Sequence, residues 1–222
     1  MPVLYHYPMA PSSRFIRLVL GEYKCDFELR VKNPWERDEA LLRLNPAGEV
    51  PVLDDAAKGV YCGARVISEW LEDTLEAAKL LQGSAEQKAE IRRLIDWFDG
   101  KFSKEVSNPL FSERVKKRFL KGQPVSSDII RTAVANSHVH FGYFEWLLGQ
   151  HGWLAGDDIS LADFMAAAHI SVLDYFGDVN WQKYPDVKSW YMKMKSRPSF
   201  RPLLADRLVG MPPAKDYAEL DF

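Results

Sequence analysis

A proline at the mouth of a strand is the feature that constrains this chain most. Residues 45–53 read NPAGEVPVL, in which an Asn-Pro pair and a glycine end a helical pattern and an apolar run follows. Pro51 has no N–H to give to a neighbouring strand, and it favours an extended Val50. We predict a cis Val50–Pro51 bond that turns the Val50 backbone outward, where it can pair with an extended peptide. A plain turn into an edge strand is the alternative.

The first third of the chain alternates strand and helix patterns, and the rest is helical. The strand patterns cover residues 3–7, 27–31, 50–53 and 60–61. The helix patterns between them cover residues 14–22, 37–44 and 65–75. The resulting order, β-α-β-α-β-β-α, predicts an α/β domain at 1–76, a linker at 77–84, an all-α domain at 85–202 and a tail at 203–222.

Capping signals mark two of the helices in the second half. Ser84 with Gln87, and Ser160 with Asp163, have the spacing of a capping box, in which each side chain bonds the other's backbone N–H. The second box opens an alanine-rich helix, which we expect to be buried and central. An Asn-Pro pair at residues 108–109 predicts the end of the helix that starts at Ser84.

Composition and charge argue against several classes of function. The 29 basic and 31 acidic residues give a net charge of −2, so no overall charge recruits nucleic acid or an anionic membrane. No apolar run approaches the roughly 18 residues of a membrane-spanning helix, and no secretory leader pattern is present. Two cysteines form no disulfide framework and favour a reducing cytoplasm. We expect no metal site, because no set of ligands has the required spacing.

The arrangement as a whole resembles the cytosolic glutathione transferase family. The resemblance rests on the Val-Pro strand entrance at residues 50–51 and on the SLAD sequence at 160–163, and it extends to about residue 204. It implies a thioredoxin-like N-terminal domain, an all-α C-terminal domain and a homodimer. In such a fold the backbone at Val50 and Pro51 would hold the cysteinyl part of glutathione.

The resemblance also identifies where the activating hydroxyl or thiol should stand. Members of the family lower the thiol pKa of glutathione with a Ser, Tyr or Cys near the start of the first helix, where the helix dipole favours a thiolate. Alignment of Pro11 with the family pattern puts Ala10 at that position. Alanine has no donor, so Ser12 and Ser13 are the candidates for catalysis if the register shifts. Helix capping is the alternative role for both serines.

A second pair of family positions is also altered. The family has a Glu-Ser pair before the third helix of the first domain, where it holds the γ-glutamyl carboxylate at a helix N-terminus. Gly63 and Ala64 replace that pair here. Two polar anchors are missing, each contributing about 1.5–3 kcal/mol. We therefore expect a degenerate site that binds glutathione poorly or not at all, and hence no cofactor.

Two features suggest a protein partner instead. Trp35 lies in a loop between strand and helix, where it is either an interface anchor or a half-buried core residue. The tail alternates apolar and acidic side chains after a Pro-Pro pair, which is typical of a docking segment, although a tail folded over its own domain is equally compatible. The predicted partner-binding residues are Trp35, Tyr217, Glu219, Leu220, Asp221 and Phe222.

Within the transferase family, these features resemble the transferase-like cell-division proteins of alphaproteobacteria. That resemblance implies binding to filaments of the tubulin-like GTPase FtsZ and regulation of their curvature or assembly, without transferase activity. It places the protein in the cytoplasm and at the division site. The alternative is an active glutathione transferase acting on small electrophiles through Ser12 or Ser13; a stress-response adaptor for another protein is a third reading.

Overall fold

The N-terminal part of the molecule is built on a mixed β-sheet. The computed structural model describes residues 1–76, 79–120 and 123–220. In these residues four strands form one sheet in the order β2-β1-β3-β4. They are β1 (Val3–His6), β2 (Glu28–Val31), β3 (Val52–Asp55) and β4 (Gly59–Cys62). β1 runs parallel to β2 and antiparallel to β3, and its Leu4 lies opposite Leu29 on one side and Leu53 on the other.

Three helices complete this thioredoxin-like domain. They are α1 (Pro11–Glu22), α2 (Glu39–Leu44) and α3 (Ala64–Thr74). Helix α1 is buried along most of its length because Phe15, Ile16 and Val19 face the interior. The predicted order β-α-β-α-β-β-α is confirmed.

The second part of the described chain is helical. Its α-helices are α4 (Ala85–Asp96), α5 (Asn108–Phe111), α6 (Lys117–Phe119), α7 (Ser127–Gln150), α8 (Leu161–Phe176), α9 (Pro185–Lys195) and α10 (Arg201–Leu204). Helix α8 is central: every residue from Leu161 to Tyr175 is buried, and the helix packs along α1 of the first domain. The alanine side chains of α8 are small and allow neighbouring elements to pack closely on all sides. Buried residues of the two domains therefore form one hydrophobic core.

Both capping boxes are present. Ser84 and Gln87 bond each other's backbone N–H at the start of α4. At the start of α8 the Asp163 carboxylate accepts from the Ser160 N–H at 2.9 Å, and it also accepts from the Leu154 N–H and from the Trp190 indole N–H. Asp163 is completely buried, and these bonds hold the preceding loop and α9 onto the first turn of α8.

The predicted helix end at residues 108–109 is wrong. The chain stays helical from Ala85 to Phe119, because π-helical stretches at Trp97–Ser107 and Ser112–Lys116 join α4, α5 and α6. Pro109 lies in the first turn of α5, directly after a π-helical stretch. It has no N–H to donate, and the wider hydrogen bonding of the π-helical stretch accommodates this. The apolar face formed by Phe98, Phe102 and Val106 continues unbroken beneath it.

Part of the predicted linker at 77–84 joins the core. Ala77 and Ala78 lie outside the described residues. Leu80 is buried, and its carbonyl accepts from the Leu161 N–H at 2.9 Å, which ties the connection to α8. None of the helices in the described residues combines the length and the apolar character that crossing a bilayer requires.

Candidate functional site

A cleft of about 460 Å³ lies between the two domains. The first domain contributes the loop before β3 and the N-terminal ends of α1 and α3, and the second contributes the helical stretch from α4 to α5 and the middle of α8. The side chains that matter for its chemistry are Ala10, Ser12, Glu49, Val50, Gly63, Ala64, Asp99 and His169. The cleft therefore brings together the residues that the sequence assigns to a degenerate glutathione site.

The loop before β3 contains the predicted cis bond, although the Val50 carbonyl is bonded by the Ser12 hydroxyl. The Val50–Pro51 bond is cis. The Asn45 side-chain amide donates to the Glu49 carbonyl at 2.9 Å, and the Gly63 N–H donates to the Pro51 carbonyl at 3.0 Å, so the loop is held at both ends. In the described residues no acceptor takes the Val50 N–H, so it is available for an extended ligand.

The start of α1 carries only one hydroxyl that reaches the cleft. Ala10 is the N-cap residue and supplies no side-chain hydrogen bond. The Ser12 hydroxyl donates to the Val50 carbonyl at 3.3 Å and lines the cleft. Ser13 is completely buried, and its oxygen accepts from the Tyr7 N–H at 3.2 Å. Of the two predicted catalytic candidates, only Ser12 is positioned to meet a ligand.

The two residues at the very start of α3 also lack polar side chains. Gly63 is its N-cap residue, without a side-chain hydrogen bond, and Ala64 is its buried first residue. Gly63 has a φ of 91°, a conformation that other residues adopt only at a cost in free energy. Open space lies where its Cβ would be, so backbone conformation rather than crowding favours glycine here. The helix N-terminus thus offers backbone N–H groups but no carboxylate or hydroxyl.

A buried histidine that the sequence did not predict as a site residue helps to line the cleft. His169 on α8 is 1% exposed, and its Nδ1 lies 2.8 Å from the Ser107 hydroxyl oxygen. Its Nε2 has no hydrogen-bond partner in the described part of the chain. Burial lowers the pKa of His169 to about 3, so the ring is neutral. No motif marks it, because an isolated histidine on an apolar helix is compatible with an ordinary core position.

Trp35 is half-buried and packs between the domains. Its ring meets Tyr7 edge-on at a centroid distance of 5.0 Å and stacks on Phe119 at 5.8 Å. Phe119 is 47% exposed, so the pair forms an aromatic patch that is partly open to solvent. Both roles considered for Trp35 are therefore compatible with its position.

The tail is folded over its own molecule, and this corrects one predicted surface residue. Tyr217 is completely buried, so its ring is not available to a partner while the tail is docked. Glu219 and Leu220 are exposed beside it. Asp221 and Phe222, also predicted to bind a partner, lie outside the described residues.

A buried polar cluster holds the tail in place. Its members, which we call the tail latch, are Arg14, Arg17, Ser171, Asp206 and Tyr217. The Arg14 guanidinium donates to Ser171 at 2.7 Å, to Tyr217 at 3.0 Å and to Asp206 at 3.2 Å. Arg17 makes two further bonds to the Asp206 carboxylate, at 2.7 and 3.0 Å. Helix α1 of the first domain is thereby joined to the C-terminal residues.

Comparison with known proteins agrees with this fold. Models for the glutathione S-transferase N-terminal domain and C-terminal domain match residues 4–79 and 131–207. FtsZ-localized protein A of Caulobacter vibrioides is 45% identical over 223 residues, which cover 99% of this chain and 97% of that protein. The structure of FzlA from C. crescentus matches with a TM-score of 0.95 and 44% identity, covering 100% of this chain and 99% of that one.

A glutathione S-transferase structure from Rhodospirillum rubrum is equally similar. It matches with a TM-score of 0.97 and 44% identity, over the whole of both chains. A relative named for FtsZ and a structure named as a glutathione S-transferase thus both match this chain over nearly its full length. The chain belongs to the glutathione S-transferase family.

Proposed function

We propose that this protein binds FtsZ filaments and regulates their curvature or assembly in bacterial cell division, using the transferase fold without its chemistry. The name of the Caulobacter relative, FtsZ-localized protein A, supports the choice of partner, because 45% identity extends over nearly all of both chains. The cytoplasm and the division site are the corresponding locations.

The lack of side chains that could anchor glutathione in the cleft is the observation that supports the absence of transferase activity. Ala10 supplies no hydroxyl at the start of α1, and Gly63 and Ala64 supply no carboxylate or hydroxyl at the start of α3. Two lost hydrogen bonds to a charged ligand reduce affinity by roughly two to four orders of magnitude. We therefore expect no glutathione cofactor at cellular concentrations.

The surface available to a filament combines an aromatic patch and an acidic tail. Trp35 and Phe119 form the patch, and Glu219 and Leu220 are exposed on the tail. Tyr217 contributes indirectly, because its burial in the tail latch fixes where the exposed Glu219 and Leu220 lie. Asp221 and Phe222 continue the same alternation of acidic and apolar residues in the sequence.

Co-sedimentation with FtsZ assembled in GTP tests the proposal, with electron microscopy to measure filament curvature. We expect the protein to pellet with filaments and curved filaments to become more frequent. Glu219→Lys and a chain ending at Tyr217 should pellet less, while both keep the tail latch and the melting temperature. Asp26→Lys is the matched control, because Asp26 is exposed and lies far from the tail in the sequence. Failure of the unmodified protein to pellet would reject the proposal.

The second candidate is an active glutathione transferase, and the position of Ser12 favours it. This hydroxyl lies in the cleft, in the first turn of α1, where the helix dipole stabilises a thiolate. Retention on glutathione resin and turnover of chlorodinitrobenzene would support it, provided that Ser12→Ala abolishes turnover. Neither retention nor turnover is expected if the first proposal is right.

We also propose a homodimer, on the strength of the family membership alone. A twofold-symmetric dimer would carry two copies of the filament-binding surface. It would bind a filament with higher avidity, although each copy makes the same contacts as before. Sedimentation equilibrium at micromolar concentration measures it directly. A monomer under those conditions would remove this part of the proposal and leave the filament contact itself intact.

A further inference from the structure

A second concave surface lies where the C-terminal segment crosses the helical domain. We call it the proline groove, and its volume is about 510 Å³. It lies between residues 210–214 of the C-terminal segment and side chains of the helical domain, among them Arg118, Val125, Ile130, Tyr175 and Phe176. It has no lining residue in common with the interdomain cleft. Its volume is within the range of clefts that bind ligands.

Hydrogen bonds fix the walls of the proline groove. The Tyr175 hydroxyl donates to the Met211 carbonyl at 2.6 Å, and the Ala214 N–H donates to the Tyr175 carbonyl at 2.8 Å. Arg118 donates to the Gly210 carbonyl at 3.3 Å. The C-terminal segment therefore forms a wall that is already in place, and a ligand would not have to order it on binding.

The proline groove is lined mainly by apolar side chains, and exposed apolar residues border it. Phe176, Met211 and the adjacent prolines at 212–213 contribute to the lining. Val125, which also lines it, is 51% exposed, and Val209, next in sequence to the lining segment, is 91% exposed. Exposed apolar surface of this kind marks interaction sites in soluble proteins. Because it continues beyond the groove, it fits a polypeptide better than a small molecule.

The proline groove also carries a positive charge that no described carboxylate compensates. Two of the charged residues that line it are paired, Glu113 with Lys117 and Arg114 with Asp178. Arg118 is exposed, and within the described part of the chain its hydrogen bond goes to a carbonyl and not to a carboxylate. A guanidinium presents parallel N–H groups that match a carboxylate. Apolar walls beside this arginine are thus complementary to an acidic ligand.

We propose that the proline groove binds an acidic segment of a partner protein: a bulky apolar side chain of the segment enters the groove against Phe176 and Met211, and a neighbouring carboxylate pairs with Arg118. A bilayer is nearly flat and would touch only the rim, so a peptide suits the concave shape better than anionic lipids do. The site has no residue in common with the filament-binding surface proposed above. Either proposal can therefore fail without affecting the other.

Fluorescence polarisation of a labelled peptide, with the sequence GDELFG and both ends blocked, tests the proposal on the full chain at low salt. Two matched peptides are the controls: GNQLFG replaces the carboxylates by amides, and GDEAAG replaces the apolar side chains by alanine. We expect saturable binding of GDELFG and about tenfold weaker binding of each control. No saturable binding of GDELFG up to about 1 mM, or equal binding of either control, would overturn the proposal.

Variants of the protein locate the binding site. Arg118→Glu should weaken the binding of GDELFG about tenfold because it replaces attraction by repulsion. Arg43→Glu makes the same change of charge on α2, at an exposed position, and should have no effect. Val125→Glu should weaken binding about fivefold, and Val31→Glu, exposed on β2, is its control. Equal losses in a variant and its control would overturn the proposal.

A methyl spectrum of the protein labelled with ¹³C-methionine reports on the apolar wall. The Met211 resonance should shift on addition of GDELFG, while that of Met165, buried in α8, should not. An unchanged Met211 resonance with the peptide bound would overturn the proposal. So would binding to phosphatidylserine vesicles without binding of the peptide, which identifies a lipid site. Much tighter peptide binding by a chain ending at Tyr217 would also overturn it, because the occupant would then be the protein's own tail.

Discussion

Helix α1 borders two polar regions that differ in how fully their groups are bonded. On the side of the tail latch, Arg14 is completely buried, and its guanidinium donates to the Pro8 carbonyl at 2.7 Å as well as to Ser171, Tyr217 and Asp206. On the cleft side, the helix begins at Ala10 without a side-chain cap, and the nearby Val50 N–H and His169 Nε2 have no partner in the described residues.

The tail latch therefore maintains the fold, whereas substitutions in the cleft can change which ligand the protein binds. A buried charge that loses its partner is strongly destabilising, so each member of the tail latch constrains the others. The cleft has small side chains and few mutual hydrogen bonds, so a substitution there alters ligand recognition at little cost in folding free energy. A transferase fold can therefore lose its anchors for glutathione and keep its stability.

The largest effect should come from removing the centre of the tail latch. Arg14→Ala removes the donor of the Ser171 and Tyr217 hydroxyls and one of the two arginines that bond the Asp206 carboxylate. It should lower the free energy of unfolding by about 3–5 kcal/mol. Urea denaturation measures it. Arg30→Ala, which removes an exposed pair with Glu28 and a long bond to the Tyr5 hydroxyl, should produce little change. Equal losses in the two variants would erase the distinction between the two regions.

Acidification should act near both regions, because a buried histidine lies beside the tail latch and another lines the cleft. Burial and the nearby Arg17 and Arg14 lower the pKa of His6 to about 4, against an opposing effect of Asp206, and burial lowers the pKa of His169 to about 3. The unfolded chain titrates near 6.5. As the pH falls from about 6.5 towards 4, the unfolded state binds protons that the folded state does not, so stability is lost in that window.

The loss should reach about 2 kcal/mol for each histidine by about pH 4.5. Urea denaturation at a series of pH values measures it. His6→Gln, on the latch side, and His169→Gln, on the cleft side, should each reduce the slope by one proton. A slope that neither variant reduces would contradict the assignment.

A smaller effect is expected from a single hydroxyl of the tail latch. The Tyr217 hydroxyl accepts from Arg14 and donates to the Leu203 carbonyl at 3.0 Å, so Tyr217→Phe should lower the free energy of unfolding by about 1–3 kcal/mol while the ring keeps its place. Tyr5→Phe removes a hydroxyl that accepts a long bond from the exposed Arg30 and is the control. Thermal unfolding measures both variants, and an equal decrease in melting temperature in Tyr5→Phe would contradict a special role for the Tyr217 hydroxyl.

The smallest effect should come from Ser12 at the edge of the cleft, and its buried neighbour Ser13 provides the comparison. Ser13→Ala removes the buried acceptor of the Tyr7 N–H and should lower the free energy of unfolding by about 1–3 kcal/mol. Ser12→Ala removes only a 3.3 Å bond at the edge of the cleft, and the loss should stay below about 1 kcal/mol. Urea denaturation of both variants compares them, and a larger loss in Ser12→Ala would reverse the assignment of the two hydroxyls.

Local sequence signals predicted much of the fold. The Val50–Pro51 strand entrance and both capping boxes depend on residues a few positions apart, and all three are present. The helix across Pro109 was missed because its wide turns follow from the core beneath it rather than from propensity. The buried state of Tyr217 was missed for a related reason: its partner Arg14 is 203 positions away, and no local pattern reports such a contact. The partnerless Nε2 of His169 has no sequence signature either.

The tail latch also bears on how the protein forms during synthesis. Arg14 is made early, but Asp206 follows 192 positions later and Tyr217 203 positions later. A ribosome-bound chain that has released only its thioredoxin-like part still has an unsatisfied guanidinium, which must stay hydrated and cannot enter the core. The hydrogen bonds of Arg14 within the tail latch can therefore be completed only after the C-terminal residues emerge.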